Sequence, residues 1–161
     1  MKQRDINIGI SSKDREISIE ILNAILGNEC VLLFQTLNYH WNLVGPQFHD
    51  YHLLFDDQYK AIFEKIDALA ERVRFLGGKA IGSMDSAIKH AVLKEDLGTL
   101  PTPTMMVSNL LDQHEKLIRE IRIGINKTAE DNRDMGSSNF LTDLIEKHEK
   151  IAWILRSLIE S

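Results

Sequence analysis

Thiols, turn-forming residues and positive charge are all scarce in this 161-residue sequence, and each scarcity removes a class of protein. The single cysteine, Cys30, excludes an intramolecular disulfide and any cysteine-rich zinc or iron–sulfur site. It lies in the apolar run Cys30-Val31-Leu32-Leu33-Phe34 and reads as a small buried hydrophobe. Only 9 glycines and 3 prolines leave little room for the turns of an all-β sandwich. Lys and Arg number 19 against 24 Asp and Glu, a net charge of −5, which excludes a basic DNA-binding domain but not a local basic tail. No run approaches the roughly 18 apolar residues of a membrane span, so no membrane partner is expected. Residues 1–16 alternate charge and polarity without an apolar targeting core. A soluble, cytoplasmic protein is expected.

What is present is helical. Hydrophobic residues make up 43% and charged residues 27%, the composition of an ordinary globular chain, and the length suits one domain over 1–161. Residues 1–12 are expected to form a flexible N-terminal tail. Ile17, Ile21, Ala24, Ile25, Val31 and Leu32 recur at helical steps in a first segment from Ser11 or Ser12 to Asn42, with Ser11 as cap and Asp14 in the first turn. Gly45-Pro46 breaks the chain, and Pro46 suits the first position of a second helix running to Leu76, where Gly77-Gly78 stops it. Phe55, Tyr59, Ile62, Ile66, Leu69, Val73 and Leu76 form its apolar stripe. Ser83 caps a short helix to about Ala91 within the 77–102 connection. Thr102-Pro103 opens a third long helix to about Lys127, residues 130–138 read as a polar loop, and a fourth helix reaches Ile159. The fold class is all-α, a four-helix bundle with a short extra helix in the crossover between helices 2 and 3.

Chemistry concentrates around the second helix. His40, His49 and His52 are followed by Asp56, Asp57, Glu64, Asp67 and Glu71, and imidazole with carboxylate but no thiolate suits iron, manganese or zinc. At about 100° per residue, with His52 at zero, Asp56 falls near 40°, Asp67 near 60° and Glu71 near 100°, all in one stripe. His52 and Asp67 stand about 22 Å apart along a straight helix, too far to share one metal. A two-fold axis removes the difficulty. Pairing His52 with Glu71 and Asp56 with Asp67 of an antiparallel copy requires the same centre, at about residue 61.5. Two identical sites per dimer would result, and His40 can join the histidine side. The Glu-x-x-His pattern that builds a metal centre inside one four-helix bundle is absent.

Bland readings stand beside these. Asp67 and Glu71 can pair with neighbouring Lys or Arg, Glu71 lying beside Arg72 and Arg74. His49 is either a supporting partner of the ligands or a solvated side chain. His90, His114 and His148 have no convergent partners in sequence and read as structural.

The segments His40-Trp41-Asn42, Gly45-Pro46-Gln47-Phe48-His49, His52, Phe55-Asp56, Tyr59, Asp67-Ala68-Leu69-Ala70-Glu71-Arg72 and Leu76-Gly77-Gly78 together resemble the Dps family, the miniferritins of the ferritin-like superfamily. The likeness extends to Glu146-Lys147-His148-Glu149-Lys150 and Trp153-Ile154-Leu155-Arg156. It implies a ferritin-like subunit assembled as a homo-oligomeric, hollow dodecamer. It also implies ferroxidase activity: Fe(II) oxidised to Fe(III), preferentially by hydrogen peroxide, with the ferric mineral stored inside and DNA and cell spared oxidative damage. The metal ligands carried over are His40, His52 and Asp56 of one subunit with Asp67 and Glu71 of its two-fold mate, binding iron or, as a substitute, zinc. Trp41 is a candidate shield of the site. Glu130, Asp131, Asp134 and Asp143 are candidates to line an entry pore, although Asn139 replaces a carboxylate that many relatives carry. No heme is expected. Residues 1–16 hold four cationic and three anionic groups, so DNA binding is expected to be weak. The alternatives are a nucleoid-binding protective shell and a metal-binding helical protein without turnover.

Overall fold

The structure, a computed structural model, describes residues 6–160. Helices α1 (Ser12–Asn42), α2 (Phe48–Phe75), α4 (Pro103–Asn126) and α5 (Met135–Ser157) form a four-helix bundle, with α3 (Met84–His90) in the crossover. The pairs α1–α2 and α4–α5 are joined by short connections, and α1 packs on α4 to close the bundle around Leu22, Leu26, Leu32, Phe55, Leu69, Leu110, Leu117, Ile121 and Leu155. The expected architecture is therefore present. Of the expected tail, residues 1–5 lie outside the described residues, while Ile10 packs against the core and Ser12 opens α1.

Local chemistry sets most boundaries. The Ser11 hydroxyl accepts from the Asp14 N–H, Ser83 from Ser86 and Thr102 from Met105, with Pro103 just inside α4. At the end of α2, Gly77 takes a positive φ of 85°, and its N–H and that of Gly78 donate back to Arg74 and Val73, closing the helix end. Pro46 does not open α2. Gly45 at φ 130° bends the chain, Phe48 N–H donates to Gly45 C=O, and Gln47 becomes the residue before the helix.

The expected loop at 130–138 is mostly absent. A π-helical turn, Lys127–Asp131, continues α4, held by the Thr128 hydroxyl donating to the Gly124 and Ile125 carbonyls. Asp134 then caps α5 through the Ser137 N–H at 3.0 Å.

Helix α1 also departs from expectation. It contains a stretch long and apolar enough to cross a membrane by length and composition, but 61% of that stretch is buried inside the bundle. Its buried polar residues hold the crossover: Asn23 bonds Lys79 C=O and Ile81 N–H, Asn28 accepts from Val92 and Leu93, and Gln35 from Asp96. Each satisfies backbone groups of a segment without its own ladder. Cys30 is half-buried rather than buried, and burial, followed by Glu29, raises its thiol pKa.

Candidate metal centre

The turn at 43–47 returns the chain so that the end of α1 lies against the start of α2. His40 and His52 meet there as stacked rings, 3.9 Å between centroids and 17° between planes. Their polar contacts are reciprocal: His40 Nδ1 lies 3.1 Å from the His52 carbonyl, and His52 Nδ1 lies 3.1 Å from the His40 carbonyl. A carbonyl oxygen only accepts, so both Nδ1 atoms carry the proton. In the neutral rings the lone pair is then on Nε2 in both cases. Backbone bonds thus set two imidazoles in the tautomer a metal needs. The His40 carbonyl is available because it belongs to the last turn of α1, where carbonyls lack an intrahelical partner.

Asp56 follows one turn after His52. Its carboxylate accepts from Lys60, and Lys60 first, then the neighbouring Tyr59 hydroxyl, hold its pKa below the ordinary carboxylate value. Tyr59 in turn sets its ring edge against His40, with centroids 5.2 Å apart. Sequence reasoning placed Tyr59 in the apolar stripe of the second helix and not beside the histidines, although its position three residues after Asp56 on one helix was the available signal.

Asp67 and Glu71 are exposed further along α2 and do not join His40, His52 and Asp56 within one chain. Among the described residues no three His, Cys, Asp or Glu side chains of one chain converge as a metal site. Trp41, 65% exposed, flanks the histidines, and Phe63 and Phe75, each 62% exposed, lie along α2 beside the carboxylates. His49 is exposed. The acidic candidates at the far end divide: Glu130, Asp131 and Asp143 are exposed, whereas Asp134 is 1% exposed and bonded to Arg72 at 3.1 Å. Asp134 is an internal cap of α5, not a surface carboxylate.

Two expectations about histidines fail. His114 and His148, read as lacking partners, are each other's partners: their Nδ1 atoms lie 2.9 Å apart, and His148 Nε2 lies 2.7 Å from Glu29 Oε1. Three helices contribute one residue each, so no spacing along the chain could reveal the group.

With this geometry in place, the likeness to known proteins is informative. A ferritin-like domain model matches residues 19–161. The chain is 47% identical over 155 residues to a low temperature-induced protein of Nostoc sp., covering 96% of this chain and 87% of that one. It is 30% identical over 141 residues to DNA protection during starvation protein 2 of Bacillus anthracis, covering 88% and 95%. The crystal structure of the Dps protein of Vibrio cholerae, described as one of a broad superfamily of ferritin-like diiron-carboxylate proteins, superposes with a TM-score of 0.90 at 27% identity, covering 99% of this chain and 100% of that one. By sequence and by fold, this chain belongs to the Dps family of ferritin-like proteins.

Proposed function

We propose that the protein is an iron-storing ferroxidase whose sites are shared between two-fold-related subunits, in a hollow dodecamer that takes hydrogen peroxide as its preferred oxidant. The observation that carries this reading is the reciprocal histidine pair. Two imidazoles are held with Nε2 free, next to the ionised Asp56, while the remaining carboxylates of the stripe lie too far along α2 to serve the same ion. A second copy across an axis near residue 61.5 brings Asp67 and Glu71 to His52 and Asp56. The exposed Trp41, Phe63 and Phe75 are the kind of apolar surface such a contact would cover. Membership of the Dps family supports iron storage and protection as the broader role.

Ferrous iron is the substrate. The His40 and His52 Nε2 atoms offer neutral donors, and Asp56, Asp67 and Glu71 offset the ion's charge. Lys60 pairs with Asp56, so an arriving cation displaces an ammonium group. Two ferrous ions then give one electron each to one peroxide. The O–O bond breaks, two hydroxide ions form, and no odd-electron fragment is left. Ferric ions hydrolyse and collect inside the shell. Glu130, Asp131 and Asp143 are the exposed carboxylates proposed to draw ions inward, through charge focusing.

Ferrous oxidation measured anaerobically with peroxide, and in parallel with air, tests the reading. Fast oxidation with peroxide, slow oxidation with air and neither in His52→Ala/Asp67→Ala is expected. A wild-type rate equal to that of free iron would refute it.

A further inference from the structure

Outside the metal centre, the unusual feature of the bundle is a polar array in its core. Glu29 of α1, His148 of α5 and His114 of α4 are 0%, 1% and 0% exposed. They form a line, with Glu29 Oε1 2.7 Å from His148 Nε2, and His148 Nδ1 2.9 Å from His114 Nδ1. The two rings are 5.1 Å apart between centroids, close to the nitrogen separation plus two ring radii, so their lone-pair directions meet head on. That alignment suits one shared hydrogen and not a common metal ion, in keeping with the lack of a three-residue metal cluster among the described residues.

Proton counting follows from the geometry. The carboxylate–imidazole contact holds one hydrogen, and so does the imidazole–imidazole contact. A second hydrogen in the latter would set two N–H groups facing each other at 2.9 Å. At most one ring can therefore be an imidazolium while the array is intact, and His148, beside the Glu29 carboxylate, is the ring placed to be it. Burial first, and then His148, hold the His114 pKa well below 6.5. The surrounding charges are few: Cys30 follows Glu29 on α1, α2 presents the uncharged Gln58, and Asp57, Glu64, Lys65, Lys147 and Lys150 ring a cavity of about 360 Å³ between α2 and α5. Gln58 and His148 both line that cavity, which gives water and protons an approach to the array. Glu29 Oε2, His114 Nε2 and both amide atoms of Gln58 lack hydrogen-bond partners. The array is thus closed at its centre and unsatisfied at its ends.

We propose that Glu29, His148 and His114 form a buried proton-sensitive catch, which joins α1, α5 and α4 near neutral pH and opens the α4–α5 contact on acidification. The sign is set by the forbidden proton. Below about pH 6.5 an unfolded chain protonates both rings, whereas the native array accommodates one imidazolium. The unfolded state then binds the extra proton, and stability falls as pH falls, by up to tenfold in the folding equilibrium per pH unit for one proton.

Two measurements on the full-length protein decide it. Hydrogen–deuterium exchange at imidazole C2, read by mass spectrometry across pH, titrates each histidine separately. His114 is expected to titrate well below the usual imidazole range; titration of His114 within that range overturns the proposal. Urea unfolding at several pH values then compares the wild type with His114→Gln, whose amide can still donate to His148 Nδ1 but does not titrate. The wild type is expected to lose up to tenfold more stability per pH unit, and equal slopes overturn the proposal. Should His114→Gln not fold, the exchange measurement on the wild type decides alone.

Discussion

The proposed sharing of the metal centre across a two-fold axis makes a prediction that a centre within one subunit does not. His52→Ala and Asp67→Ala each damage every site when present alone, because each homodimer site takes one half from each copy. Mixed dimers behave differently. Where the Asp67→Ala subunit provides the histidines and the His52→Ala subunit provides the carboxylates, one site is intact and the other doubly damaged. Random mixing makes half the dimers mixed, so about a quarter of all sites return. The proposal rests on His52 and Asp67 standing about 22 Å apart on one continuous helix, a separation no side-chain motion spans. The assay is peroxide-driven ferrous oxidation by the two variants, separately and after co-assembly from a denatured mixture. Recovery near a quarter of the wild-type rate is expected. A mixture no more active than its inactive components would refute the sharing, and full activity in either variant alone would remove that residue from the centre.

Lys60→Met frees Asp56 from its ammonium partner, and an about twofold lower half-saturating ferrous concentration is expected in initial-rate measurements, the small size reflecting an exposed pair. Asp134→Ala removes both the α5 cap and the partner of Arg72, and a loss of about 2–4 kcal/mol in urea unfolding is expected, with Asp134→Asn retaining part of it. Leu69→Ala opens a cavity where α2 packs into the core and should lower stability by about 2–5 kcal/mol by the same measurement. Duplex DNA in a gel-shift series should lose its retarded band as salt approaches about 0.15 M, because an anionic chain with four cationic against three anionic groups in residues 1–16 neutralises few phosphates.

Much of this molecule was legible before its fold was known. The caps at Ser11, Ser83 and Thr102 and the stop at Gly77-Gly78 rest on interactions within a few residues, which sequence displays directly. That His52, Asp56, Asp67 and Glu71 share one face of α2 was legible for a similar reason, since helical periodicity places them there. The start of α2 was misjudged because Gly45 supplies the turn ahead of Pro46, and the 130–138 segment because the Thr128 hydroxyl bonds back to α4. The buried polar residues of α1 were missed because their partners, at 79–96, lie far along the chain. For His114 and His148 a signal existed: each interrupts an apolar helix face, between Leu110 and Leu117 and between Leu144 and Leu155. A polar residue in a core register needs a partner, but its register alone does not say which.

The sequence by itself determined the helical class, the single crossover and the stripe of histidine and carboxylates along α2, because these follow from the 3.6-residue period and local capping. Only the tertiary structure decided that His40 and His52 orient each other through their own carbonyls, that Asp134 is an internal cap and that Glu29, His148 and His114 share a buried line of hydrogen bonds. The histidine pair, the Asp134–Arg72 bond and the buried line join residues from different helices. The rotation and offset that bring them together arise from core packing, which no local pattern encodes.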